Sequence, residues 1–134
     1  MMKSFLSIVL FFLALGAGPL AQAQSCGSGG GATVCLTATG SSDNIKLTWT
    51  VSGAVTGVQV YRDTDSNTYG RSRLAILSAS TTTYTDSTPV QGTPYWYWVK
   101  FTTSAGSYDS GAATAVRAGA MRSLTSLQLS TQMS

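Results

Sequence analysis

The chain has 134 residues, of which 43% are hydrophobic and only 10% charged, with eight Lys and Arg against five acidic residues, all Asp, and no His. That length holds one ordinary domain. Its cations (Lys46, Arg62, Arg71, Arg73, Lys100, Arg117 and Arg122, besides Lys3) are scattered and form no run that would neutralise successive phosphates, so nucleic acid is not an expected partner. With neither His nor Glu, the chain lacks the side chains most used for proton transfer near neutral pH. The expectation is that it is not an enzyme, and that it carries no cofactor and no metal.

The N-terminus places Lys3 ahead of an apolar run from Phe5 to Leu15, then Gly16, Gly18, Pro19 and the small-residue triplet Ala21-Gln22-Ala23. This layout predicts a secretory signal peptide over residues 1–23, cut between Ala23 and Gln24. The run is shorter than the roughly 20 residues a helix needs to span a bilayer. A secreted or periplasmic protein is expected, with no stable membrane span after cleavage.

Residues 24–32 form a Gly-rich segment that carries Cys26, and Cys35 follows it. In an oxidising compartment the two predict a disulfide, worth about 2–3 kcal/mol through loop entropy. The alternative fate of Cys26 is lipidation, although Ala23 and Ser25 stand where that signal wants Leu and Gly or Ala.

From Thr33 onward, short alternating segments rich in Thr, Val, Tyr and Ser are broken by Gly, Asp, Asn and Pro, the pattern of an all-β sandwich. Seven strands are predicted, at about residues 33–39, 44–51, 56–62, 73–77, 82–85, 95–103 and 112–118. Alternation assigns Ile45, Leu47, Trp49 and Val51 to one face of the second strand, and Val58 and Val60 to one face of the third. In the sixth strand, Tyr95, Tyr97, Val99 and Phe101 alternate with Trp96, Trp98 and Lys100. Val34, Leu36, Leu74, Ile76, Tyr84 and either Ala115 or Val116 complete the expected core.

The order and spacing of Leu47-Thr48-Trp49, Val58-Gln59-Val60-Tyr61-Arg62, Leu74-Ala75-Ile76-Leu77, Thr83-Tyr84-Thr85-Asp86 and Gly92-Thr93-Pro94-Tyr95-Trp96-Tyr97-Trp98-Val99, followed by Ser104-Ala105-Gly106, resemble the landmarks of a bacterial fibronectin type III module over residues 33–118. The resemblance implies a seven-stranded immunoglobulin-like β-sandwich. It also implies that Trp49 packs in the core and that Tyr95 forms the tyrosine corner, its hydroxyl bonding to the chain upstream. The cysteine pair is not a feature of that family. Arg-Gly-Asp is absent from residues 104–111, so integrin-type adhesion is not implied.

The five Asp residues fall in predicted turns. The run Asp63-Thr64-Asp65-Ser66-Asn67 lacks the Gly and the closing Glu of a calcium loop, and Gly29-Gly30-Gly31 lacks the strand-to-helix setting of a phosphate loop. If Tyr95 and Tyr97 point inward, Trp96 and Trp98 point outward, and Tyr61 joins them from the neighbouring strand. This strip of Trp96, Trp98 and Tyr61 is the candidate binding site, for sugar rings or a protein partner; the competing reading is that these rings brace the sheet. Residues 119–134, with Leu124, Leu127 and Leu129 among Ser and Thr, are expected to form a flexible tail, or a strand that docks on this or another sandwich. The functional expectation is a non-catalytic module mediating protein interaction or envelope and extracellular assembly; the alternative is a carbohydrate-binding module that uses the aromatic strip. The expected partner is accordingly an unidentified protein or a polysaccharide.

Overall fold

A computed structural model describes residues 23–118. The expected leader, apart from its final residue, and the expected tail at 119–134 lie outside the described residues. Nine strands form in chain order: β1 (Ser25–Gly29), β2 (Ala32–Gly40), β3 (Ile45–Ser52), β4 (Gly57–Asp63), β5 (Ser72–Leu77), β6 (Thr83–Asp86), β7 (Pro94–Thr103), β8 (Gly106–Asp109) and β9 (Ala113–Val116). They make two antiparallel sheets packed as an open sandwich, one ordered β1-β2-β3-β6 and the other β5-β4-β7, with β8 and β9 both pairing with β7.

The expected count of seven strands is therefore corrected to nine. The first addition is β1, in the segment that composition marked only as Gly-rich. Gly30 and Gly31, with φ of 59° and 82°, make a two-residue turn that requires positive φ at both positions, and this folds β1 back on β2. Cys26 pairs directly with Cys35 in that ladder, and the two form a disulfide. The second addition is β8, where Ser104-Ala105 turn the chain back along the end of β7.

Glycine also decides how β1 sits against the other sheet. A Cβ on Gly27 would run into the carbonyl of Asp109, one on Gly29 into the ring of Tyr108, and one on Gly30 into the side chain of Thr103. Two glycines in β1 and a third in its turn thus let β1 lie close against β8 and the end of β7.

The core lies between the sheets. Val34, Leu36 and Ala38 of β2 and Ile45, Leu47 and Trp49 of β3 face Val58 and Val60 of β4 and Tyr95, Tyr97, Val99 and Phe101 of β7, all buried. Fully burying a side chain of this kind contributes about 1.5–3 kcal/mol. One expected core residue, Ile76, is 66% exposed. The register shift between Val60 and Tyr61 explains the difference: Val58 and Val60 pair with Leu77 and Ala75, which pack on the core, while Ile76 pairs with outward Gln59.

Between β8 and β9 the partner of β7 is interrupted, and Ser110 completes the hydrogen bonding. Its backbone N–H donates to the Val99 carbonyl, and its Oγ accepts from the Val99 N–H, each at 2.9 Å. The opposite corner is tied by a buried carboxylate. Asp86 Oδ2 accepts from Arg62 Nη1 and from the Tyr97 hydroxyl, both at 2.9 Å, while Oδ1 accepts from the Thr88 hydroxyl at 2.7 Å and its backbone N–H at 3.1 Å. The Arg62 guanidinium also lies 4.7 Å from the centroid of the Tyr95 ring, and the Tyr95 hydroxyl accepts from the Val90 N–H five residues upstream.

Burial alone would raise the pKa of Asp86, but the hydrogen bonds from Thr88, Tyr97 and Arg62 outweigh it and hold the carboxyl below its ordinary 3.8. Burial, followed by the hydrogen bond to Asp86, pushes the Tyr97 hydroxyl well above its usual range.

Two predictions follow from this packing. Gly29→Val is expected to destabilise the protein by about 1–3 kcal/mol, the usual effect of forcing a side chain into filled space, as measured by urea denaturation. Because the folded pKa of Asp86 is depressed, its stabilisation is present above the unfolded pKa and lost as pH falls through the folded one. Asp86→Asn is therefore expected to be less stable than the parent at pH 6, with the gap narrowing steadily below about pH 4.

Candidate functional site

The outer faces of the two sheets carry different chemistry. On β2, β3 and β6 the outward positions are dominated by Thr39, Thr48, Thr50, Thr83 and Thr85, with Lys46 as their charged member. On β5, β4 and β7, the same alternation sets out aromatic rings and cations. The register places Arg73, Tyr61 and Trp98 in one row, Ile76, Gln59 and Lys100 in the next, and Asp63 beside Trp96 at the end of β4.

Trp98, Tyr61 and Trp96 thus share the outer face, but they do not form an open strip. Trp98 is only 2% exposed. The Arg71 guanidinium lies 4.3 Å from the centroid of the Tyr61 ring and 5.5 Å from that of Trp98. A desolvated cation over two aromatic faces contributes up to about 2 kcal/mol per contact, so Arg71 binds these rings to the sheet and hides Trp98 from solvent.

Arg71 is itself held by Asp109. Its Nη2 lies 3.0 Å from Oδ1 and donates to Oδ2 at 3.2 Å, while its Nη1 is buried without a hydrogen-bond partner. Tyr61 donates its hydroxyl to Gln59 Oε1 at 2.9 Å, and Lys100 Nζ lies 6.0 Å from the Tyr61 centroid. Trp96 is half-buried and keeps part of its surface open. Trp49 and Tyr95 lie in the core, and the Trp49 Nε1 has no hydrogen-bond partner.

The structure adds an aromatic residue that strand alternation does not bring out. Tyr69, in the β4–β5 loop, is 88% exposed. Side-chain oxygens shape the loop beneath it: Asp65 Oδ1 accepts from the Asn67 N–H at 2.8 Å, and Asn67 Oδ1 accepts from the Tyr69 N–H at 3.0 Å. The loop leaves β4 at Asp63, the register partner of Trp96, so Tyr69 and Trp96 belong to the same end of the sheet. The signal available in the sequence was local: a Tyr before Gly in a loop of Asp and Asn.

Asp63 and Asp65 serve backbone N–H groups in this loop, and among the described residues no group of three or more His, Cys, Asp or Glu is placed to hold a metal ion. Among the described residues no helix is long and apolar enough to cross a membrane.

No protein-family model matches the chain, and no curated protein sequence matches it. Solved structures do. A pectate lyase of Erwinia chrysanthemi, PelI, in complex with tetragalacturonic acid, matches with 34% identity and a TM-score of 0.57, over 61% of this chain and 28% of that one. Pectate lyase Pel3 of Pectobacterium carotovorum matches with 29% identity and a TM-score of 0.50, over 71% of this chain and 26% of that one. An Fn3-like protein of Clostridium thermocellum matches in fold with 24% identity and a TM-score of 0.54, over 71% of this chain and 92% of that one. The chain spans little more than a quarter of the length of either lyase.

These matches correct two expectations, that the chain is a non-catalytic module for protein interaction or assembly, and that it is not an enzyme. The lyases it resembles are carbohydrate-active enzymes. Lack of His and Glu removes two kinds of proton carrier, but Asp, Lys and Tyr also transfer protons when their surroundings tune them, and all three are present. The chain is an all-β, disulfide-bonded sandwich of two antiparallel sheets, with likeness both to pectate lyases and to an Fn3-like protein.

Proposed function

We propose that this chain is a secreted or periplasmic carbohydrate-acting protein, built on a fibronectin type III-like sandwich, that engages polysaccharide on the outer face of its five-stranded sheet. The observation that carries the reading is Tyr69, almost wholly exposed at the end of the sheet where Trp96 also keeps an open surface. Sugar rings present flat C–H faces that pack on such aromatics, while their hydroxyls need polar groups at the margin. Arg73 and Lys100 supply donors on the same face, and the β4–β5 loop supplies Ser66, Asn67 and Thr68 beside Tyr69.

The lyase matches support this reading, since PelI is seen with a galacturonate oligosaccharide. The aromatic cluster then divides into two parts. Trp98 and Tyr61, under Arg71, form the rigid base; Tyr69 and Trp96 make the contact.

The test is affinity electrophoresis of the mature protein through gels containing soluble plant and bacterial polysaccharides, followed by chain-length analysis of any glycan that retards it. Retardation by at least one polysaccharide is expected, with a Tyr69→Ala/Trp96→Ala variant about tenfold weaker and unchanged in melting temperature. Free migration through every glycan, or full retardation of the double variant, would contradict the proposal.

A further inference from the structure

We infer that residues 125–130 of this chain add to the free edge of β6 as an antiparallel strand, closing the side of the sandwich that the described residues leave open. This is independent of the glycan-binding reading, which concerns the outer face of the other sheet.

The two sides of the sandwich are built differently. On one, β1 and β2 lie so close to β8 and β9 that a Cβ on Gly27 would meet the Asp109 carbonyl and one on Gly40 the Val116 carbonyl. On the other, the sheets end in β6 and β5, each paired along one edge alone among the described residues. Their inward side chains, Tyr84 of β6 and Leu74 and Leu77 of β5, pack on the core but stay only partly buried.

The two free edges are not equally receptive. Leu74 is an extra residue in β5, opposite the step from Val60 to Tyr61, and such a bulge breaks the even spacing of backbone groups that a further strand needs. In contrast, β6 keeps an unbroken register with β3 from Thr83 to Asp86 and contains neither Pro nor Lys, the residues that commonly guard an edge. The charge at its end, Asp86, is already engaged by Arg62, Tyr97 and Thr88.

The place where the described chain ends selects the occupant. The Ala118 N–H donates to the Ser41 carbonyl at 3.0 Å, and the Arg117 guanidinium donates to the carbonyls of Ser42 and Pro89 at 3.2 and 3.3 Å. Pro89 closely follows Asp86, so the chain leaves at the Asp86 end of β6, and a segment turning along that edge runs antiparallel to it. Residues 119–124 span at most about 20 Å, against about 10 Å for two strand spacings. In Thr125-Ser126-Leu127-Gln128-Leu129-Ser130 the two-residue period puts Leu127 and Leu129 on one face and Ser126, Gln128 and Ser130 on the other. The leucines suit the margin of Tyr84, Leu74 and Leu77, while the polar set continues the outer face of Thr83 and Thr85.

The test is hydrogen exchange of the mature protein, read segment by segment by mass spectrometry. Slow exchange of residues 125–130 is expected. Leu127→Asp/Leu129→Asp is expected to speed exchange there and in Thr83–Asp86 by at least about tenfold, while β2 and β7 stay as protected as in the parent, showing that the fold persists. Gln128→Asp, at an outward position, is expected to change neither segment.

Free exchange of residues 125–130 in the parent would overturn the inference, as would protection that the double variant leaves unchanged. Loss of protection at 125–130 with β6 unaffected would place the segment elsewhere and overturn it too. Protection that appears only as protein concentration rises, together with a dimer in sedimentation, would overturn it in favour of a second copy as the acceptor.

Discussion

The strict alternation of β7 is the constraint on which the rest of the molecule depends. Its ten residues pair with β4 along one edge and with β8 and β9 in turn along the other. Tyr95, Tyr97, Val99 and Phe101 enter the core together, and the pleat then gives no choice about Trp96, Trp98 and Lys100. A slip of one residue would exchange the two sets and place Lys100 between the sheets. The core and the candidate face are therefore two consequences of one register. The Asp86 cluster, gripping Tyr97 and Arg62, and Ser110, bound to both backbone groups of Val99, hold that register near each end of the strand's buried run.

What alternation does not determine is solvent access. Trp98 points outward as the period requires, yet it is buried, because a residue from a loop more than twenty positions away lies over it. Arg71 gives no sign of this in the sequence, where it is one cation between Gly70 and Ser72. Conversely, Tyr69 follows no strand period and is the most open of the large hydrophobic side chains on this surface. The face is thus layered, with a fixed aromatic base under a guanidinium and accessible rings at its end.

Much of the fold was legible because Ile45 through Val51 and Tyr95 through Phe101 carry a two-residue period too regular for anything but half-buried strands. The additions were hidden for different reasons. Strand β1 has almost no side chains with which to display a period: its glycines are needed for close approach to β8, and only the backbone and the disulfide define it. The inward assignment of Ile76 failed at a bulge, which changes the phase of a strand without changing its composition. Function was less legible than fold. The missing His and Glu bear on which proton carriers exist, whereas a sheet face of rings and cations needs none of them to meet a sugar chain.

The disulfide between Cys26 and Cys35 also sets how the sandwich would bear a mechanical load. It bridges the two strands at directly opposed positions, so tension on the chain ahead of Cys26 passes through sulfur into β2 and bypasses the Gly30-Gly31 turn. The hairpin beyond the bridge remains slack while β2 resists through its whole ladder with β3. Unzipping from this end cannot begin one hydrogen bond at a time. It has to shear the four-stranded sheet.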